Sequence, residues 1–406
     1  MGARFAIVFA AAHRPLFLAG ILNFALLIIW WTVALFDIYI WPIGMASGDV
    51  PGSFQHAPVM LFLMVPSFFF GFLLTVFPRW IGYPDLGRRQ YVPIGCAFII
   101  ASILAWSALI GGDALLLAIA LSVAGFGWIA ALWHMAVLLK AERRDRKGPT
   151  WHGWSAFAAL CFGLAGLGFS VRFLVTLDGQ AYLIANSLGT FGFLLPVFFT
   201  VAHRMIPFFA GNVVQDYVAW RPYWVLALLW ILLIAHLLFQ FSGQNSLQFV
   251  SAFALSALTA VMLWRWWPKN KAPGLFMVLI WGFAWAPIGF ALIGADSFAE
   301  FAGFGLGLGR APIHALYIGM AGSLVIAMVT RVTLGHSGRP LAMNRTAWLA
   351  FWGIQLSAIA RIIAGARGEH GHWLVLAGVI WILLVTPWTL RQAGIYLSRR
   401  ADGKAG

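Results

Sequence analysis

The chain has 406 residues, 62% of them hydrophobic and only 9% charged, with a mean hydropathy of +0.89. A soluble domain carries roughly 25% charged residues, so this balance excludes a water-soluble enzyme and points to a polytopic membrane protein. The formal charge of +14 would suit a nucleic-acid binder, but in a membrane chain the placement of the charges decides what they mean.

The apolar runs are each about 20 residues long and lack strand-like alternation, which predicts helices rather than barrel strands. We read an all-α bundle of twelve transmembrane spans: roughly 16–40, 57–78, 91–111, 114–140, 153–177, 182–205, 221–242, 247–267, 273–295, 311–333, 346–366 and 373–397. Residues 1–406 then form a single transmembrane domain with short connections. The N-terminus has no small-residue cleavage site after a short apolar core, so no removed signal peptide is expected. Cys96 and Cys161 both fall inside apolar runs, which argues against a disulfide framework.

In chain order, the first span ends in IWWTVALF and a Trp41-Pro42 turn, and the stretch GMASGDVPGS leads into the second. The run from Lys140 to Lys147 reads as a basic turn between the fourth and fifth spans, suited to anionic lipid headgroups. Tryptophans cluster near span ends (Trp30, Trp31, Trp41, Trp264, Trp266 and Trp267), as in an interfacial aromatic belt. FAGFGLGLGR, before the tenth span, lacks the strand and the Lys-Ser/Thr of a phosphate cradle and reads as a loop. With the N-terminus inside, all of the 26 Lys and Arg residues fall on the inner side except Arg172, Arg310, Arg361 and Arg367. That bias predicts both termini in the cytoplasm and assigns the charge to topology, not to nucleic acid.

The second, sixth and tenth spans share a grammar: a polar start at His56, Asn186 or His314 and an arginine finish at Arg79, Arg204 or Arg331. Two readings stay open here, a threefold repeat of four-helix arcs and the charge rule acting three times. In the tenth span, RAPIHALYIGMAGSLVIAMVTRVTLGHSGRP, His314 and Arg331 are 17 residues apart, ~26 Å along a helix and nearly one hydrocarbon core. His314 and His336 lie ~33 Å apart on the same axis and cannot share a metal.

Ionisable groups inside a membrane are costly enough to count as functional candidates, and imidazoles are the main supply of metal-binding lone pairs here. Depth sorts them. His56, His236, His314, His370 and His372 fall on the outer side, and His13, His134, His152, His203 and His336 on the inner side. His56 and His314 sit at equivalent outer depth on helices running the same way; they are either paired ligands or helix-start residues facing headgroups. A b-type haem held by two imidazoles needs no CxxCH attachment site, and the chain has none. His236 is either a ligand or a core histidine bonded to a neighbouring helix. His336 is either a loop residue or part of an inner metal site with His203 or His13. There is no GxSxG or HExxH motif, and Asp and Glu sit almost wholly at span ends, which counts against hydrolysis and against an ion-driven carrier.

The stretch HALYIGMAGSLVIAMVTRVTLGHSGRPL closely resembles the signature helix of the NnrS family. These are membrane proteins associated with the bacterial response to nitric oxide and described as carrying haem and copper. Further matches are Arg14-Pro15 near the start, Phe72–Thr75 through Pro78–Gly82, Arg204-Met205-Ile206-Pro207-Phe208-Phe209 as a turn after helix six, and Ser357-Ala358-Ile359-Ala360-Arg361. At helix two the family's W-H-x-H-E-M becomes Gln55-His56-Ala57-Pro58-Val59-Met60, which keeps the first His and loses the second His and the Glu. That departure removes a ligand and a carboxylate from any second metal site. The architecture is also distantly similar to haem-copper oxidase core subunits, which ligate haem from helices two and ten.

The resemblance implies a bacterial inner-membrane protein that binds haem b, with copper as a further candidate, and handles nitric oxide by binding, detoxifying or reducing it. His56 and His314 would be the haem ligands, with Arg361 and Arg172 at the propionates because they break the charge rule. His236, His336 and His203 are secondary metal candidates, and Arg79, Arg204 and Arg331 could clamp an anion on the inner side. An oxidoreductase would also need an electron donor. The alternative is a non-enzymatic sensor or small-molecule transporter built on the same bundle.

Overall fold

The computed structural model describes residues 6–45, 48, 50–146 and 148–403. Arg4, Lys147 and Lys404 of the charge pattern, and Ala46, Ser47 and Asp49 of the first loop, lie outside those residues. Among the described residues, twelve helices are long and apolar enough to cross a membrane. They are α1 (His13–Tyr39), α2 (Gly52–Trp80), α3 (Arg88–Gly111), α4 (Ala114–Asp145), α5 (Trp151–Thr176), α6 (Gly179–Val213), α7 (Tyr223–Phe241), α8 (Asn245–Trp266), α9 (Gly274–Phe301), α10 (Ala311–His336), α11 (Arg345–Ala366) and α12 (Gly371–Tyr396). No strand occurs among the described residues.

Two expected turns are helical. α4 continues through the basic run to Asp145 and stops at Arg146, whose φ of 49° is left-handed. α6 continues through Pro207 to Val213, because a proline inside a helix forfeits one backbone bond and the flanking Met205, Ile206 and Phe209 are buried. The aromatic belt holds for exposed Trp41, Trp264 and Trp267 but not for Trp266, which is fully buried and donates its indole N–H to Trp220 O.

Burial separates three helices from the rest. The apolar windows of α2, α6 and α10 are 83%, 72% and 72% buried, whereas no other helix exceeds 56%. These three form the inner layer, and the others show large side chains such as Phe126, Trp133, Leu383 and Leu390 to the outside. Each inner helix also contains one π-helical stretch, Met60–Met64, Leu188–Leu194 and Ala315–Gly322, and no other helix among the described residues does. In α2 and α6 the second residue after that stretch is a proline, Pro66 and Pro196. With no N–H to return to Phe62 O or Gly192 O, the proline favours a widened turn before it. In α10 that position is Leu324, and the stretch contains Gly319 and Gly322 instead. A Cβ on Gly319 would sit 2.5 Å from the Trp285 ring of α9, and one on Gly322 3.3 Å from Ile354 of α11, so both glycines set the packing distance of α10.

The π stretches give the three helices a common register. His56 and His314 each stand eight positions before the last residue of their stretch, Met64 and Gly322, and in α6 the same position is Asn186. The arginines do not share a register: Arg79 falls well beyond the depth of Arg204 and Arg331 when counted from the same point. The equivalence that the sequence suggested therefore holds at the polar starts and fails at the arginine finishes.

Candidate functional site

α10 begins at Ala311, with Pro312 in its first turn and Arg310 as its N-cap. His314 closes that turn, and its ring Nδ1 lies 2.8 Å from Arg310 O. A carbonyl can only accept, so Nδ1 carries the proton and Nε2 presents its lone pair. The Arg310 backbone is itself fixed: its N–H donates to Glu369 Oε1 at 2.9 Å. Glu369 Oε2 lies 2.9 Å from Arg361 Nη2 of α11. One carboxylate thus joins the guanidinium of α11 to the backbone turn that orients His314. Glu369 holds a left-handed φ of 59°, and facing Gly309 has φ +52°, where an added Cβ would lie 2.9 Å from Glu369 Oε1. The left-handed φ favours glycine at 309, and a side chain there would press on the carboxylate.

Arg361 is 8% exposed, and its Nη1 is buried with no hydrogen-bond partner. His56, in the first turns of α2, stacks on Trp31 of α1 with ring centroids 4.4 Å apart and planes 15° apart, and its Nδ1 is buried without a partner. Arg361 and Arg310 lie within electrostatic range of both His56 and His314, and the two imidazoles lie within range of each other. Tyr317, one turn after His314, bonds its hydroxyl to Thr190 of α6, tying the π stretches of α6 and α10 together. The sequence-predicted pair and Arg361 are therefore brought to one locality, walled by Trp31.

The other candidates go elsewhere. Arg172 pairs with Asp178 at 2.7 Å at the exposed end of α5. His236 is 1% exposed; its Nδ1 lies 3.0 Å from Ser251 Oγ, which itself donates to Gln248 O. The Nδ1–H therefore donates to that hydroxyl, and Nε2 stays buried without a hydrogen-bond partner, the imidazole packing on Phe191 with ring centroids 4.2 Å apart. His203 Nε2 donates to Pro222 O at 3.1 Å, so its Nδ1 accepts from His152 Nε2 at 2.9 Å. His336 packs on His13 with ring centroids 4.6 Å apart. Four of the five histidines assigned to the arginine-rich face thus form two separate pairs, and His134 belongs to neither. Among the described residues, no three His, Cys, Asp or Glu come together in a group that could hold a metal ion. Arg79 is engaged bidentately by Asp85, Arg204 lies over the Trp80 ring, and Arg331 lies over Phe209.

Sequence reasoning missed Glu369, Trp31 and His152. Glu369 was passed over as a loop acid at a span end, although it is the acidic residue next along the chain from the rule-breaking Arg361. Trp31 was absorbed into the aromatic belt. The partnership of His152 with His203 has no spacing signal, because it joins α5 to α6 through folding alone.

A family model described as NnrS protein matches residues 7–400. No curated protein matches the chain.

Proposed function

The chain belongs to the NnrS family, and from that premise we propose that it is a haem-binding, nitric-oxide-handling membrane protein of the bacterial inner membrane, with its arginine-rich face in the cytoplasm. One observation carries the reading: His56 and His314 occupy the same register of two inner helices, close to a buried Arg361 with an unpartnered Nη1. The donor set suits haem b. His56 and His314 would hold the group, and His314 has its Nδ1–H fixed on a backbone carbonyl, as ligating histidines usually do. Arg361 keeps a free guanidinium N–H for a propionate while Glu369 neutralises its other side. Arg172, exposed and paired with Asp178, is the weaker propionate partner.

Held by His56 and His314, haem would supply an iron centre able to take up nitric oxide. The protein's part is to hold His314 in one tautomer, to shield the site with Trp31, and to admit an apolar gas from the surrounding hydrocarbon. A multi-histidine copper centre has less support, since among the described residues no group of three potential ligands comes together and the ring contact recorded for His236 is with Phe191.

The test is the absorption spectrum of detergent-purified protein made with ample haem, oxidised, reduced and then treated with nitric oxide. We expect a Soret band that shifts on reduction and again with nitric oxide. His314→Ala and His56→Ala should remove or weaken it, and His203→Ala and His336→Ala, on the opposite face, should leave it unchanged. A colourless wild-type protein overturns the haem reading and leaves a sensor or small-molecule transporter.

A further inference from the structure

The inner layer walls an apolar recess, partly open rather than sealed, that the haem reading does not use. It lies between α1, α2, α6, α9 and α10, and Phe17, Phe69, Phe198, Ala202, Leu279 and Val325 are among the side chains that wall it. Its volume is about 50 Å³, and its lining is almost wholly apolar. One water needs roughly 10–15 Å³ and two to four polar partners, so the space is ample for water but offers it too few partners; such a cavity stays dry and takes apolar guests. The wall is stiff. Phe17 lies over Gly71, where a Cβ would come within 2.3 Å of its ring, so the ring could not keep its place against any larger residue. Phe69 is held edge-on by Phe193 and Phe198, with centroids 5.5 and 5.0 Å away.

The position matters as much as the size. Val325 lies 11 residues beyond His314 on α10, ~16 Å along the axis, which puts the cavity near the middle of the hydrocarbon core. The stretch between them on α10 includes Leu316, Met320 and Ala321, all buried.

We propose that this cavity is a binding site for one small apolar gas molecule, a dry store on the axis of the inner helices, with nitric oxide its occupant on the reading above. Only the identity of the gas rests on that reading. The physical basis is that a small apolar solute already concentrated in hydrocarbon gains dispersion contacts on entering a preformed apolar void and displaces no bound water.

Xenon is the probe, because it reports the cavity without haem or nitric oxide. Crystals of the full chain pressurised with xenon should show one anomalous peak against Phe69, Ala202 and Val325. Ala202→Phe, which fills the void from α6, should abolish that peak; Val325→Phe fills it from α10 and serves if the first variant does not fold. No peak in the wild type at saturating pressure, a peak that persists in the filled variants, or lipid or detergent density in the void would each overturn the proposal. Any of those results would leave the haem spectrum, and so the haem reading, untouched. Conversely, a colourless protein that binds xenon would keep the cavity and lose only the identity of its gas.

Discussion

Replacing Glu369 with alanine probes the device that orients His314. The carboxylate takes a charge-assisted bond from Arg361 and a backbone bond from Arg310, and its side chain is 32% exposed against 10% for Arg361. The bond between the two charged groups contributes about 1.5–3 kcal/mol, and the exposed, solvent-screened backbone bond from Arg310 about 0.5–1.5 kcal/mol. The partial exposure of Glu369 favours the lower halves, so Glu369→Ala should cost about 2–3 kcal/mol in all. In an Arg361→Met background the ionic part is already gone, and the same change should cost only about 0.5–1.5 kcal/mol. The double-mutant cycle should then show a coupling of about 1–2 kcal/mol. Glu369→Gly should be about 1 kcal/mol more stable than Glu369→Ala, because glycine adopts the left-handed φ of 59° without strain. Equilibrium unfolding of the detergent-solubilised protein in graded denaturing detergent gives all four corners. Additivity within about 0.5 kcal/mol would refute the bridge as an energetic unit.

Three further outcomes follow from packing and charge. Gln355→Leu should destabilise by about 1–3 kcal/mol in the same assay, since it strands the indole N–H of Trp285, now 2.6 Å from Gln355 Oε1, and frees Ser323 from α11. Gly319→Leu forces a side chain into the Trp285 ring and should abolish monodisperse protein on size exclusion, whereas Gly394→Leu, with open space around its Cα, should not. The bond from Arg79 holds the Asp85 carboxyl below its usual range, so its contribution is present at neutral pH and fades as pH falls through that lowered value. Because both partners are 55% exposed, Asp85→Asn should cost less than about 1 kcal/mol at pH 7, and a pH series of unfolding curves should converge with wild type in acid.

The twelve spans were legible because a hydrocarbon core imposes a length, and a run of about 20 apolar residues announces it whatever the neighbours. Their ends were less so. The extension of α6 through Pro207 and of α4 to Asp145 depends on what those turns pack against, and single residues signal only propensity. Depth grouped His56 and His314 at the starts of helices running the same way, but their common register became visible only through the π stretches, which arise from backbone bonding and leave no hydrophobic pattern. Arg361 announced itself by breaking the charge rule. Its partner Glu369 did not, since a loop acid looks alike whether it faces solvent or closes a bridge to a buried guanidinium. The inner histidines show the same limit: nothing in their spacing assigns His203 to His152 and His336 to His13.

The asymmetry of the three inner helices bears on which cofactor the bundle suits. α6 places Asn186 at the register where α2 and α10 place imidazoles. At that level α6 contributes a hydroxyl tie instead: Thr190 donates to Asn186 O and meets the Tyr317 hydroxyl of α10. Three imidazoles converging at one depth would make a trigonal site for a bare metal ion. His56 and His314 would hold the group on the haem reading, and α6, hydrogen-bonded instead through Thr190, would fix the spacing of the other two helices. On the haem reading, breaking that tie should alter the geometry of His314 without removing a ligand. Thr190→Val should therefore keep the Soret band that His314→Ala loses, while changing its position or its response to nitric oxide. A Thr190→Val spectrum identical to wild type in every state would mean that α6 has no part in setting the site.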